Sequence, residues 1–278
     1  EEGCEGEDFT VTITVNPTPT MDAPPNIEVC NGEDVTINFT TDNTGGDTTY
    51  VWSAEGDSIG LSPTSGTVDP DTDVDITFTA DIGDSPDEVS VLFTVTPTFT
   101  YDGVSCVGTT DQQQTFTVIV NPEPQIDDFA ETICEGDTFA SITPVNDTNG
   151  VVPSGTTYTW VIADNSSPNV LGGSASTAPS ATIPGSVLTL VDGTTSPQDL
   201  IYTVTPITEE GCEGEDFTVT ITVNPTAQVN QPNNETYCDG DTANIIFDTQ
   251  NIGGDTTYAW EVVDGSDDIG PITTQGSG

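Results

Sequence analysis

Apolar and polar residues alternate in short runs along this chain. Val35-Thr36-Ile37-Asn38-Phe39 is one such run, followed by Val74-Asp75-Ile76-Thr77-Phe78, Val89 to Val95 and Phe116 to Val120. The pattern returns in Tyr158-Thr159-Trp160-Val161, Leu200 to Val204 and Phe217-Thr218-Val219-Thr220-Ile221. A period of two sends successive side chains to opposite faces, so each run predicts a strand with one buried side. Their Val, Ile, Phe and Thr content suits a pleated, half-buried surface. Clusters of Gly, Asn, Asp and Pro separate the runs at the spacing of sandwich turns. No run has helical periodicity, and the predicted class is all-β.

The pattern is also repeated on a longer scale. Residues 1–18, EEGCEGEDFTVTITVNPT, recur identically as residues 209–226. The offset then holds without a gap, so that Cys30 matches Cys238, GGDTTY at 45–50 matches 253–258, and Trp52 matches Trp260. A half-length period lies inside it, marked by Val-Asn-Pro at Val15-Asn16-Pro17, Val120-Asn121-Pro122 and Val223-Asn224-Pro225. The sequence therefore divides into the last strand of one repeat (1–17), two complete repeats (18–122 and 123–225) and the first half of another (226–278). Repeats of this size are domains, not solenoid units. Six to eight strands and one Trp per repeat predict tandem immunoglobulin-like β-sandwiches in an elongated rod. Short Pro-rich connections at Asn16-Pro17-Thr18-Pro19, Asn121-Pro122-Glu123-Pro124 and Asn224-Pro225-Thr226 make the joints semi-rigid. The chain begins at Glu1 rather than Met, which suggests a processed or excised piece. The Trp sits in a fixed phrase, Tyr50-Val51-Trp52, Tyr158-Thr159-Trp160 and Tyr258-Ala259-Trp260. Tyr and Trp two apart share a face, which reads as core packing on a central strand rather than a sugar-stacking platform.

Charge changes the functional picture. There is no Lys, Arg or His against 47 Asp and Glu, a formal net charge of −47. That composition removes salt bridges, cationic phosphate grips, imidazole acid–base chemistry and histidine metal ligation together. It repels nucleic acid and anionic membrane surfaces. No apolar stretch approaches the ~18 residues of a membrane-spanning helix. The expectation is a non-catalytic extracellular protein with no cofactor other than a candidate Ca²⁺. Adjacent acids such as Asp127-Asp128 or Glu209-Glu210 are nominal pairs for acid hydrolysis, and nothing in the sequence places them in a cleft.

Five short motifs occur in a constant order. They are Cys-x-Gly-Asp/Glu before the second strand, Tyr-x-Trp on the third, Tyr/Phe-Thr-Val-Thr-Pro on the sixth, Gly-Cys-x-Gly before the last, and a closing Thr-Val-x-Val-Asn-Pro. In this the chain resembles the PKD-like, immunoglobulin-like tandem repeats of giant cell-surface adhesins in Bacteroidota. Those are type IX secretion substrates and include the gliding-motility adhesin. One departure is that the Trp-Asp-Phe-Gly-Asp-Gly run of true PKD domains is replaced by Trp52-Ser53-Ala54-Glu55-Gly56-Asp57. The resemblance implies a shaft or adhesive filament on a cell surface, with neighbouring repeats of the same chain as its first partners. A surface polysaccharide or another surface protein, held by sandwich loops, is the alternative partner. It also implies O-glycans at Asp-Ser/Thr sites followed by an aliphatic residue or Thr, a pattern that Thr48, Ser58, Thr242 and Thr256 fit. Four Asn-x-Ser/Thr sequons, at Asn38, Asn146, Asn165 and Asn234, stand beside them.

The six cysteines are Cys4, Cys30, Cys106, Cys134, Cys212 and Cys238. In such a chain they imply structural disulfides and an oxidising exterior. Three pairings fit the period, of which Cys106–Cys134 across a linker would need two full strands to fold back, which an extended array forbids; two remain. One is within repeats, Cys30–Cys106 and Cys134–Cys212. The other joins the end of a first strand to the loop before the last strand of the next repeat, as Cys30–Cys212. Metal binding is confined to one candidate, the alternating Asp69, Asp71, Asp73 and Asp75, whose carboxylates share one face of an extended backbone. Ca²⁺ takes such oxygen ligands. The competing reading is a solvated edge whose charge blocks sheet-to-sheet aggregation.

Overall fold

The computed structural model describes residues 3–4, 6–69 and 75–260. Among them sixteen strands and no helix are present. The chain divides into two compact units, the first formed by Glu1–Glu123 with Glu210–Cys212, the second by Pro124–Glu209 with Glu213–Gly278.

The first unit holds β1 (Ile27–Cys30), β2 (Asp34–Asn38), β3 (Asp47–Gly56), β4 (Ser65–Val68), β5 (Asp75–Thr79), β6 (Val89–Tyr101), β7 (Val104–Val107) and β8 (Gln114–Asn121). One sheet runs β1-β8-β6-β3-β4, with β7 also on β6, and the other is β2-β5. All neighbours are antiparallel except β1, which runs parallel to β8 with Cys30 opposite Asn121. Alternation drives the layering. Val35 and Ile37 of β2 and Ile76 of β5 face Tyr50, Trp52, Phe93, Val95, Phe116 and Val118 across one apolar core. Phe93 stacks on Phe116 with ring centroids 4.9 Å apart, and Trp52 stacks on Phe93 at 5.9 Å. Such pairs add stabilisation beyond the area they bury.

The second unit holds β9 (Gln125–Ile126), β10 (Phe129–Cys134), β11 (Gly150–Val151), β12 (Thr157–Ile162), β13 (Val170–Leu171), β14 (Thr189–Leu190), β15 (Gln198–Ile207) and β16 (Phe217–Asn224). Its main sheet is β10-β16-β15-β12, again with the first strand parallel to the last, Cys134 opposite Asn224. The opposing layer is less regular. Phe139, Ile142, Ile183 and Leu188 close the core from segments joined by isolated bridges, Thr138↔Val187 and Ile142↔Ile183, rather than by a continuous ladder. Pro, Gly and Ser crowd the sequence there, which limits ladder length.

The first two Tyr-x-Trp phrases lie inside these cores, whereas Tyr258 and Trp260 of the third are half-exposed. Tyr50, Trp52, Tyr158 and Trp160 are all buried. The Trp160 indole donates to the Ser174 carbonyl at 2.9 Å, so its polar edge is satisfied. Burial pushes the Tyr158 hydroxyl up to about 12 from an ordinary value of 10.0, and it raises Tyr50 and Tyr202 as well. The sign follows from linkage. Ionisation is easier in the unfolded chain, so the stability these tyrosines contribute is complete below pH 10 and is lost as pH rises through their folded values. In alkaline titration, phenolate absorbance from the three should therefore appear together with loss of the β-sheet circular dichroism. Smooth ionisation of all tyrosines with the fold intact would refute this.

Residues 9–16 behave differently from their twin. In β16, Phe217, Val219, Ile221 and Val223 are at most 2% exposed. The identical Phe9, Val11, Ile13 and Val15 are 74–87% exposed and belong to no ladder. A strand needs partners on its edges, and the same eight residues have them in one place and not in the other.

Candidate functional site

The chemistry-bearing side chains fall into a cysteine system, an acidic strip and a set of hydroxyls. The cysteine system is the most defined. Cys30 ends β1 and Cys212 lies in the loop between β15 and β16, and the two form a disulfide with S–S 2.00 Å and Cα–Cα 5.6 Å. Glu210–Cys212 accordingly group with the first unit. Cys4, Cys134 and Cys238 are free and exposed, and Cys106 is free and half-exposed.

Cys30 is held by a tight turn. The Cys30 amide donates to the Glu33 carboxylate at 2.9 Å and the Glu33 amide returns to the Cys30 carbonyl at 3.2 Å. Between them Gly32 has φ +87°, a left-handed backbone that side chains rarely adopt. The Gly32 amide donates to Ala80 and the Asn31 amide to Asn121, each at 2.8 Å, which ties the turn to both sheets. Around Cys134 the three backbone bonds recur. The Asp137 amide donates to Cys134, Gly136 to Leu188 and Glu135 to Asn224, with Gly136 at φ +88°. Around Cys238, the Cys238 amide donates to the Asp241 carboxylate at 2.9 Å, the Asp241 amide to Cys238 at 3.0 Å, and Gly240 has φ +90°. The Cys-x-Gly-Asp/Glu motif is thus a tight turn, which at Cys30 and Cys134 directly follows the strand that the cysteine ends. Glu135 in the second copy also reaches Thr226, accepting from its amide at 3.2 Å and its hydroxyl at 3.0 Å. These bonds hold its carboxyl below the usual range.

The loop-borne cysteines share their own feature. The Gly108 amide, two residues after Cys106, donates to the Pro97 carbonyl at 2.8 Å. The Gly214 amide, two residues after Cys212, donates to the Pro206 carbonyl at 3.0 Å. The sequence carried both motifs. What it did not carry was the distance between any two of them.

The acidic strip is only partly within the described residues. Asp71 and Asp73 lie outside them. Asp69 is half-buried just after β4, and Asp75 opens β5, where it lies opposite Asn38 in the β2–β5 ladder. Among the described residues, no group of three or more Cys, Asp or Glu side chains is gathered in a way that would hold a metal ion. Of the hydroxyl candidates, Ser58 and Thr242 are exposed and Thr256 is half-exposed. Thr48 is corrected: it is 5% exposed and its Oγ1 is enclosed, because β3 turns it inward opposite Phe99 of β6. A glycan does not fit there. Asn146 is engaged too, its side-chain oxygen accepting from the Val152 amide at 2.9 Å. No helix among the described residues is long and apolar enough to cross a membrane.

No curated protein matches the chain. Among solved structures, the chain is similar to human CDH23 EC21-23 at 13% identity, covering 85% of this chain and 81% of that one, with a TM-score of 0.35. It is similar to the Clostridium thermocellum CbhA fibronectin(III)-like modules at 13% identity, 75% and 95% coverage and a TM-score of 0.30. A third likeness is to the Bacteroides ovatus mixed-linkage glucan utilisation locus SGBP-B in complex with a mixed-linkage heptasaccharide. There the identity is 15%, the TM-score is 0.24 and 80% of this chain is covered, while the chain spans about half (48%) of that protein's length. Residues 131–227, which run from within β10 to just beyond β16, match the family model of a PKD-like domain.

Proposed function

We propose that these sandwiches are shaft units of a long cell-surface adhesin or filament, without catalytic activity and facing the extracellular medium. The single observation that carries this reading is the recurrence of one sandwich with one cysteine turn, at an offset that leaves an 18-residue stretch identical. Copying whole units extends length, whereas a tuned pocket needs one unit to differ from the rest. The Tyr-x-Trp aromatics of the two described sandwiches, Tyr50, Trp52, Tyr158 and Trp160, the best candidates for stacking on a sugar, are spent inside the cores. The Cys30–Cys212 bond supports a mechanical role. It joins one repeat to the next in parallel with the Pro-rich connection, so that tension along the chain has a second covalent path. Export by the type IX route and a part in gliding motility are the finer expectations of this reading. The strip from Asp69 to Asp75 serves as a solvated edge, and Ser58, Thr242 and Thr256 are the sites for O-glycans.

Immunogold labelling of the producing cells with an antibody against the sandwiches tests the role. Gold spread over a wide range of distances from the cell surface is expected. Label confined to the cytoplasm would overturn the reading. Saturable binding of the purified chain to one polysaccharide, lost on substitution of loop residues, would replace the shaft with a binding module.

A further inference from the structure

Acids are spread unevenly over the two sandwiches. They make up 17% of the chain, yet the strands β6, β8, β12 and β16 of the main sheets contain none. Strand propensity alone does not account for this, because β2, β3, β5, β10 and β15 all carry Asp or Glu. Inward residues of the main sheets form the cores, so the outward ones decide what each sheet shows to solvent.

In the first sandwich Thr94 of β6 lies between Thr115 of β8 and Ser53 of β3, with Ser65 of β4 beyond. On either side along β6, Leu92 lies opposite Thr117 and Thr96 opposite Val51. Acids stand at the margins, Asp47 and Glu55 at the two ends of β3 and Glu28 on the edge strand β1. In the second sandwich Thr203 of β15 lies between Thr218 of β16 and Val161 of β12, with Ile201 opposite Thr220 and Thr205 opposite Thr159. Here the marginal acids are drawn into the sheet. Asp128 accepts from the Thr218 amide at 2.6 Å, Asp199 from the Thr222 hydroxyl at 2.7 Å and Asp216 from the Thr205 hydroxyl at 2.5 Å. Each sandwich thus presents a plate of hydroxyl and aliphatic side chains with its charge at the rim.

We propose that these plates are self-association surfaces, by which two copies of the chain lie side by side with plates face to face. Charge selects the occupant. A partner docking on acidic surface must bring cations, whereas the plate asks for none. A second copy, also at −47, is repelled from acid-bearing surface and meets no carboxylate at a plate centre. Identical plates also match in pattern. On both, side chains recur about 6.8 Å along a strand and about 4.8 Å across strands, and a threonine hydroxyl both donates and accepts.

Area sets the strength. Four strands over about 20 Å of length give a plate of roughly 400 Å², half of the ~800 Å² that each partner of a stable pair buries. One plate is too small, so the contact is weak per sandwich and accumulates with the number of sandwiches. Salt sets the conditions. Sheets packed face to face lie about 10 Å apart, close to the screening length of about 8 Å at physiological ionic strength. Rim repulsion is therefore damped in saline and strong at about 0.01 M, where that length is about 30 Å. The pairing goes beyond the shaft reading and holds for a binding module alike.

Sedimentation velocity of the full 278-residue chain tests this, with free thiols alkylated and the Cys30–Cys212 bond left intact. A monomer–dimer equilibrium is expected, shifting toward dimer from about 0.01 M to about 1 M sodium chloride. Thr94→Asp with Thr203→Asp should weaken it by about tenfold or more, because each carboxylate enters a contact without a cation. Thr94→Val with Thr203→Val keeps the branched shape and should leave it as strong or stronger. Ser58→Asp with Thr242→Asp adds the same charge at exposed positions off the plates and should leave it nearly unchanged. If circular dichroism shows the first aspartate pair unfolded, Val51→Asp with Val161→Asp, at positions 51% and 58% exposed, carries the same expectation. The proposal is overturned if the chain stays monomeric at every salt concentration, or if valine and aspartate variants weaken the dimer alike. Loss of the dimer in Ile13→Asp but not in the plate variants would overturn it by placing the contact on residues 9–16. A monomer that is retained on a neutral polysaccharide through Thr94 and Thr203 would equally overturn it.

Discussion

Ile221→Asp should unfold the second sandwich, while Ile13→Asp should leave the unfolding of the chain unchanged. The two isoleucines sit in identical octapeptides, so intrinsic propensity cannot separate them. Ile221 is fully buried in β16, between Glu131 of β10 and Leu200 of β15 in the ladder. A carboxylate placed there has no side-chain cation to meet, because the chain contains none. An unpaired buried charge costs about 3–5 kcal/mol, a large part of the roughly 5–15 kcal/mol that holds a domain together. Ile13 is 83% exposed, and exposed substitutions of this kind stay within about 0.5 kcal/mol. Urea unfolding followed by circular dichroism and tryptophan fluorescence measures both. Equal destabilisation by the two substitutions would mean that residues 9–16 are packed in the same way as β16.

That contrast marks how far the sequence could be read. Alternation found the strands because burial on one face is what alternation encodes. The runs at Leu200 to Val204 and Phe217 to Ile221 became β15 and β16, each longer than the run that predicted it. The Tyr-x-Trp phrase located the core for the same reason. Alternation says nothing about edge partners, so the parallel placement of β1 on β8 and of β10 on β16 was not legible, nor was the lack of a ladder at residues 9–16. Thr48 was misjudged because its Asp-Thr dipeptide is a local signal, whereas its burial depends on Phe99, some fifty residues away in sequence. The cysteine pairing stayed open for a related reason. Cys30 and Cys212 are 182 residues apart in sequence, and only the fold reduces that to 5.6 Å between Cα atoms. The irregular layer around Phe139, Ile142 and Ile183 lacks any period, and its role in the core came from volume rather than pattern.

Added salt should stabilise this protein, against the usual direction for a fold held partly by ion pairs. Every charged side chain is an acid, 47 in all, so every side-chain charge interaction in the folded state is repulsive. Compaction brings those charges closer, and self-repulsion works against the compact state. Raising sodium chloride from about 0.01 M to about 1 M shortens the screening length from roughly 30 Å to roughly 3 Å. Repulsion between neighbouring units of charge along each sheet is then largely removed. A gain of about 1 kcal/mol per sandwich would appear as a rise of about 4–8 °C in melting temperature. Calcium separates screening from binding. If the strip from Asp69 to Asp75 is a solvated edge, calcium chloride at matched ionic strength should act like sodium chloride, and excess chelator should leave the melt where it was. If the strip is a site, calcium should act at far lower concentration, saturate, and lose that effect in Asp71→Asn with Asp73→Asn. A melting temperature that is flat or falls with sodium chloride would contradict the account of a fold working against its own charge.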